Sequence, residues 1–260
     1  VHPVPETTRY EAWSFPDFGT GADALRAVAQ TGTGPTVIRL SDEAETGVNL
    51  ATTAHIGEQQ ITGGCLAITV FEGSAEHTES RHAETRALLT ARGGTSLGEG
   101  PARSWEQGRF GAPYLRDALL AAGALCETLE TATSWSNVSA LKAAVTTALI
   151  ESLAASGTNA LVLCHISHVY PTGASLYFTV VAGARGDSLD EVIAQWRAAK
   201  TAASDAIMAT GGTITHHHAV GTDHRPWMAD EVGDLGVEVL RAVKSCLDPA
   251  GVLNPGKLIP

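Results

Sequence analysis

Residues 160–181 read ALVLCHISHVYPTGASLYFTVV. Two apolar, β-rich runs, Ala160 to His168 and Leu176 to Val181, flank the turn Pro171-Thr172-Gly173. Proline presets one turn angle there, and glycine supplies conformations that other residues avoid. So short a connection makes the two strands an antiparallel hairpin. Alternation along the second strand puts Leu176, Phe178 and Val180 on one face and Ser175, Tyr177 and Thr179 on the other. Tyr177 therefore stands on the more polar face, where a phenol could exchange a proton or simply bond to backbone.

Working outward, Arg9 to Phe15 and Pro35 to Leu40 predict strands flanking a helix from about Ala22 to Thr31. Cys65 to Glu72 is a strong strand, followed by a charged helix from about Glu76 to Arg92 and a Gly93-Gly94 stop. Val138 to Ala155 is an alanine- and leucine-rich helix leading into the hairpin. After the hairpin, Ser188 and Glu191 form a capping box. Leu189, Ile193, Trp196, Ala199, Ala203 and Ile207 then share one helical face, and Gly211 ends the helix. The elements interleave without repeats or long linkers. The expected fold is α+β: a largely antiparallel sheet with helices on one face.

The stretch Gly212-Thr213-Ile214-Thr215-His216-His217-His218-Ala219-Val220-Gly221 carries the chemical signal. Three adjacent imidazoles are poor packing material, because each has polar nitrogens that need partners and titrates near neutrality. Read as an extended strand, His216 and His218 share a face while His217 points the other way. Opposed faces would keep the three rings from converging on one metal ion, so no metal is expected. A helix from about Asp230 to Cys246 follows, then a loop, Asp248 to Leu258, rich in proline and glycine. Leu253, Leu258 and Ile259 suggest that this tail docks on something.

Composition excludes some functions. A formal charge of −11 argues against nucleic acid or an anionic membrane face as a general partner. The sequence holds no uninterrupted apolar run of the roughly 20 residues that span a bilayer, and no charged-then-apolar leader. Cys65, Cys126, Cys164 and Cys246 lack metal or disulfide spacing and read as reduced thiols. That points to the cytoplasm, with peripheral membrane association and a homodimer both left open.

The HHHAVG run, the preceding LYF strand and the closing LDPAGVLNPGKL together resemble the carboxy-terminal half of FAD-linked oxidases of the vanillyl-alcohol oxidase superfamily. Within it, the similarity is to the alkyldihydroxyacetonephosphate synthase family. Upstream, Val37-Ile38-Arg39-Leu40-Ser41-Asp42, Phe71-Glu72-Gly73 and Pro113-Tyr114-Leu115-Arg116-Asp117 look like that family's cap-region segments, in the same order. The resemblance implies FAD as cofactor and the redox-neutral replacement of an acyl chain by a fatty alcohol on dihydroxyacetone phosphate. It assigns Tyr177 as proton acceptor and donor, His216, His217 and His218 as catalytic, and His217, His218 and Asn254 as flavin neighbours. Arg39 and Arg116 would bind the phosphate-bearing lipid substrate, with Arg116 offering phosphate a bidentate fork.

The same resemblance implies residues 1–229 as a substrate-binding cap, and 230–260 as a helix and tail returning to an FAD-binding domain outside this sequence. Gly93-Gly94-Thr95-Ser96-Leu97-Gly98 is misplaced for that domain's pyrophosphate loop and is followed by no suitable helix signal. The chain thus reads as a fragment that alone binds FAD weakly or not at all. Two other readings stay open. One is the cap of a 2-hydroxyacid oxidoreductase, metal-assisted through histidines, although Tyr177 stands where a second hairpin histidine is expected and His217 replaces an acid. The other is a binding domain without chemistry. His165, His168 and His224 are left as structural or supporting residues.

Overall fold

The computed structural model describes residues 3–52 and 64–260. Among the described residues seven strands form one sheet: β1 (Thr7–Phe15), β2 (Val37–Ser41), β3 (Cys65–Gly73), β4 (Thr95–Gly98), β5 (Ala124–Ser134), β6 (Ala160–Val169) and β7 (Gly173–Gly183). Their order is β4-β1-β3-β2-β6-β7-β5, and all neighbouring pairs run antiparallel. The expected α+β architecture is the observed one.

Four helices make the main layer: α1 (Phe18–Thr31), α3 (Ala75–Ala91), α6 (Val138–Ala155) and α7 (Leu189–Ala209). The side chain of Asp17 caps α1 by accepting from the Thr20 amide at 2.7 Å. The Ser188–Glu191 capping box on α7 is present. Fully buried Leu25, Leu141, Leu149, Leu153, Leu176 and Phe178 belong to one apolar cluster between this layer and the sheet. By length and composition Trp135–Ala155 could cross a membrane, yet its Val138, Leu141, Val145, Leu149 and Leu153 are core residues.

Other elements were silent in the sequence. Helix α2 (Glu43–Thr52) follows β2, α4 (Gly100–Gly108) follows β4, and α5 (Ala112–Ala121) leads into β5. The 93–98 segment, read as followed by no suitable helix signal, therefore ends in the strand Thr95–Gly98 with a helix soon after it. Through Ala102, α4 packs on a small second cluster of Ala12, Leu66, Ile68 and Val70, on the sheet face opposite the main layer. One face assignment fails: Leu189, expected among the buried residues of α7, is 73% exposed. It is the first residue of the helix. The last helix, α8 (Met228–Leu247), is kinked at Gly233, whose φ is 73°.

Candidate active site

On the sheet face turned away from the main helical layer, three adjacent strands place one row of side chains. His165 of β6 pairs with Tyr177 of β7, and Tyr177 pairs with Glu130 of β5. Period-two alternation then sends all three to the same side, while Leu176, Phe178 and Ile166 go into the core. The His165 ring stacks on Tyr177 at 4.9 Å between centroids, 13° from parallel. His218 approaches Tyr177 edge-on at 5.1 Å. Among the described residues nothing hydrogen-bonds the Tyr177 hydroxyl.

His168 reaches this row through a bulge. Ile166 pairs with Leu176 and Val169 with Ala174, so Ser167 and His168 together oppose Ser175 alone. Plain alternation would turn His168 toward the core; the extra residue turns it back. The Ser175 hydroxyl accepts from the His168 amide at 3.0 Å and shares a 2.6 Å hydrogen bond with Ser167.

The histidine run is not a strand. His217 has φ 57° and Ala219 has φ 63°, both left-handed, and the segment is strapped to β5 by irregular contacts. The Thr213 amide donates to the Ala132 carbonyl at 2.9 Å and the His216 amide to the Glu130 carbonyl at 2.9 Å. The Thr131 hydroxyl donates to the Thr213 carbonyl at 2.6 Å. The expectation of opposed faces is therefore corrected: the left-handed turn folds His217 back against its neighbours. His217 stacks on His168 at 4.4 Å and meets His216 at 4.3 Å. One ligating atom from each of His168, His216 and His217 lies within 4.8 Å of the others, so strand geometry gives no reason against a metal.

Beneath the rings lies Glu130, only 5% exposed. Its Oε1 accepts from Ser167 Oγ at 2.5 Å and from His216 Nδ1 at 3.1 Å, with His168 Nδ1 at 3.4 Å. Its Oε2 faces His218 Nε2 at 3.5 Å. Burial pushes this carboxyl up, but the Ser167 and His216 hydrogen bonds outweigh it and hold the group below its ordinary range. Burial lowers His168 against the pull of Glu130, so that imidazole favours its neutral form. The far nitrogen of His216 meets the Tyr170 hydroxyl at 2.8 Å.

At the other end of the row, Arg39 Nη2 donates to Glu45 Oε1 at 2.7 Å, and His165 Nδ1 contacts the same oxygen at 3.1 Å. Burial would raise Glu45, yet Arg39 and His165 hold it at about 2. Burial and the Arg39 charge both lower His165. Arg39 is thus beside the site, anchored by one of its donors. Arg116 is not: it sits exposed on α5, bonded to its neighbour Asp117 at 2.9 Å.

A hollow of about 440 Å³ opens next to His218, lined by Thr128, Ala219, Gly221, His224, Lys200 and Lys257 among others. Its wall includes the carboxy-terminal tail, which is held through main-chain groups while Leu253 and Leu258 stay exposed: the Leu258 amide donates to the Gly221 carbonyl at 2.9 Å, and Arg225 to the Gly256 carbonyl at 2.8 Å. Asn254 lies on this tail in a left-handed conformation, φ 45°. Tyr177, His216, His217, His218 and Arg39 therefore come together, Asn254 belongs to the neighbouring tail, and Arg116 stands apart. The sequence reading missed Glu130 and Glu45. Glu127 falls between Leu125 and Leu129 at the period-two positions of β5, which breaks the apolar alternation that would have exposed the strand and Glu130.

Fold and site together define an antiparallel-sheet domain presenting a tyrosine, buried carboxylates and clustered imidazoles beside a hollow of cofactor size. Residues 4–258 match the family described as FAD linked oxidases, C-terminal domain, and the chain belongs to that family. It is 30% identical to the alkyldihydroxyacetonephosphate synthase of Trypanosoma brucei brucei. The Dictyostelium discoideum synthase is 31% identical. Both alignments cover 100% of this chain and 45% of the relative. A solved alkyldihydroxyacetonephosphate synthase structure superposes with a TM-score of 0.75 at 25% identity, covering 98% of this chain and 45% of that one. The chain thus spans under half the length of these relatives.

Proposed function

We propose that this chain is the substrate-handling, catalytic half of an FAD-dependent enzyme like alkyldihydroxyacetonephosphate synthase, replacing the acyl chain of an acyl-dihydroxyacetone phosphate with an alkyl chain. The observation that carries it is Tyr177 held between His165 and His218 with its hydroxyl uncommitted, next to a ring, His218, that itself lines the hollow. Exchange at the carbon bearing the acyl group requires a base to take a proton and an acid to release the carboxylate. A free phenol titrates near 10, so Tyr177 acts as base near neutrality only where a neighbour takes up its proton, and His218, which meets its ring edge-on, is placed to do so. Arg39 keeps most of its five donors beyond the single contact to Glu45, and these can meet an anionic headgroup. Arg116, unpacked on α5, would join only by moving toward substrate.

The hollow suits a flavin ring. Left-handed backbone at Ala219 and Gly221 brings main-chain groups to its wall, and His218, Thr128 and Lys257 supply polar edges. His218 would border the ring directly, while His217 and Asn254, which do not line the hollow, would stand beyond it on the histidine turn and the tail. When bound, FAD supplies a transient electron-pair partner for the substrate carbon without net redox. Support for residues 230–260 meeting an FAD-binding domain comes from α8, where Leu235, Val239, Val243 and Leu247, all beyond the kink, form an exposed apolar stripe at helical spacing.

One observation favours a second reading, a metal-assisted 2-hydroxyacid oxidoreductase: the convergence of His168, His216 and His217. Against it, both nitrogens of His216 are engaged, by Glu130 and Tyr170, so an ion would have to displace one. The test is the complete flavoenzyme assayed for exchange of labelled fatty alcohol and for hydroxyacid-dependent dye reduction, with and without a chelator. Exchange that survives chelation and falls on the order of 10²–10⁴-fold in Tyr177→Phe supports the reading. Wild-type exchange by Tyr177→Phe, or dye reduction lost on chelation, overturns it.

A further inference from the structure

We propose that Glu130 is a positioning residue: its one carboxylate holds His216 and His218 in opposite tautomers, and so fixes which nitrogen each ring offers as a base. The inference rests on the function proposed above only in placing these rings at the reacting substrate.

The argument is one of donors and acceptors. A carboxylate only accepts hydrogen bonds. Glu130 Oε1 lies 3.1 Å from His216 Nδ1, so a neutral His216 carries its proton on Nδ1. Its Nε2 is then an acceptor, and the Tyr170 hydroxyl, 2.8 Å away, donates to it. Glu130 Oε2 faces the other kind of nitrogen on the second ring, His218 Nε2, at 3.5 Å. That contact is electrostatic rather than a hydrogen bond, and a carboxylate charge on this side favours the proton on Nε2 of a neutral His218, leaving Nδ1 as the basic position. The carboxylate cannot turn to change this. Ser167 donates to it at 2.5 Å, its side chain is 4% exposed, and the carbonyl of the same residue accepts the His216 amide at 2.9 Å. Backbone and side chain of Glu130 thus grip His216 from both ends.

Three further features fit. The bulge at Ser167 and His168 delivers two more donors to this single group. Tyr177 stands across the strand pair from Glu130 and in edge contact with His218, so the orientation of His218 bears on the tyrosine. Holding a ring in the wrong tautomer is costly: removing the orienting carboxylate's charge in a Ser-His-Asp triad lowers kcat about 10⁴-fold. The contacts here are longer, and roughly 10²-fold is expected by the same reasoning.

The experiment is nitrogen NMR on the complete flavoenzyme labelled with ¹⁵N-histidine, with His216 and His218 assigned by single substitutions, alongside exchange kinetics. In wild type, His216 should show a protonated Nδ1 and His218 a protonated Nε2. Glu130→Gln keeps the shape but can donate as well as accept, so the His216 preference should be lost and kcat should fall roughly 10²-fold with KM little changed. Glu130→Asp should restore part of the rate. The same tautomers in wild type and Glu130→Gln, or unchanged kcat, would overturn the proposal. If Glu130→Gln does not fold, the wild-type spectrum decides alone: both rings protonated on the same nitrogen overturns it. Because tautomers are read without turnover, a wild-type enzyme that lacks exchange activity sinks the proposed function and leaves this test standing.

Discussion

Glu45 offers the most quantitative test of how the site is built. Its carboxyl, 11% exposed in the side chain, accepts from Arg39 at 2.7 Å and contacts His165 at 3.1 Å. Held at about 2 rather than the usual 4.5, it contributes about 3 kcal/mol of stability at neutral pH, at roughly 1.4 kcal/mol per pH unit. The sign follows from proton counting: the unfolded chain binds a proton near 4.5 that the folded chain refuses until about 2. This stability is therefore complete above about pH 5 and lost as pH falls toward 2. His165, also lowered, acts in the same direction in a separate window, at and below its usual 6.5. Glu45→Gln should remove the carboxylate's own contribution to the acid limb between pH 5 and 2, while the His165 window stays and extends to lower pH, because the Glu45 charge is one of the groups that hold that imidazole up. Arg39→Met strands a buried carboxylate and should cost about 3–5 kcal/mol at pH 7, a deficit that shrinks on acidification as Glu45 takes up its proton. Urea unfolding followed by tryptophan fluorescence measures both, and Trp105, 5.9 Å from the Arg39 guanidinium, reports locally. An unchanged acid limb in Glu45→Gln would refute the reasoning, as would an Arg39→Met deficit that grows at low pH.

Three other substitutions probe separate parts of the structure. Phe178→Ala empties a fully buried site behind Tyr177 and should cost about 3–5 kcal/mol in urea unfolding, with m unchanged. Gly212→Ala places a methyl 2.8 Å from Thr131 Oγ1 and 3.0 Å from Leu141 Cδ2; a loss of about 1–3 kcal/mol is expected, visible as a lower Tm. Leu235→Asp on the α8 stripe should change this chain's own stability by no more than about 0.5 kcal/mol, yet reduce the flavin content of the complete enzyme. Full flavin occupancy in that variant would exclude the stripe as the contact with an FAD-binding domain.

Much of the fold was legible because its strongest elements announce themselves by period and punctuation. The hairpin, the capping box at Ser188 and Glu191, and the helix at Val138–Ala155 are local signals that tertiary contacts reinforce. Strand β5 was not legible. Its sequence, ALCETLETATS, spends most positions on polar residues because it is an edge strand with one face under α7 and the other in the site. Glu127 shows why: it lies in the strand yet meets Lys200 of α7 at 3.3 Å, so a charged residue occupies what would ordinarily be an apolar position. Alternation cannot be read where both faces are polar.

The site shows the same limit more sharply. Strand alternation was the only geometry available for the histidine run, and it sent His217 away from His216 and His218. Two departures from regular backbone reverse that outcome: the bulge at Ser167 and His168, and the left-handed residues His217 and Ala219. Left-handed conformation in a non-glycine residue costs about 1–2 kcal/mol, and no local pattern in HHHAVG demands it. What compensates is nonlocal, namely the hydrogen bonds from Thr213 and His216 to β5 and the acceptor that Glu130 provides beneath the rings. The residue types identify the chemistry, because imidazole and phenol have few other uses in such a cluster. Their arrangement depends on a carboxylate 86 residues from His216, on a strand that sequence periodicity does not reveal. A charge so placed turns three adjacent, nominally equivalent histidines into three distinct groups: one bound at Nδ1, one facing the carboxylate through Nε2, and one stacked on His168.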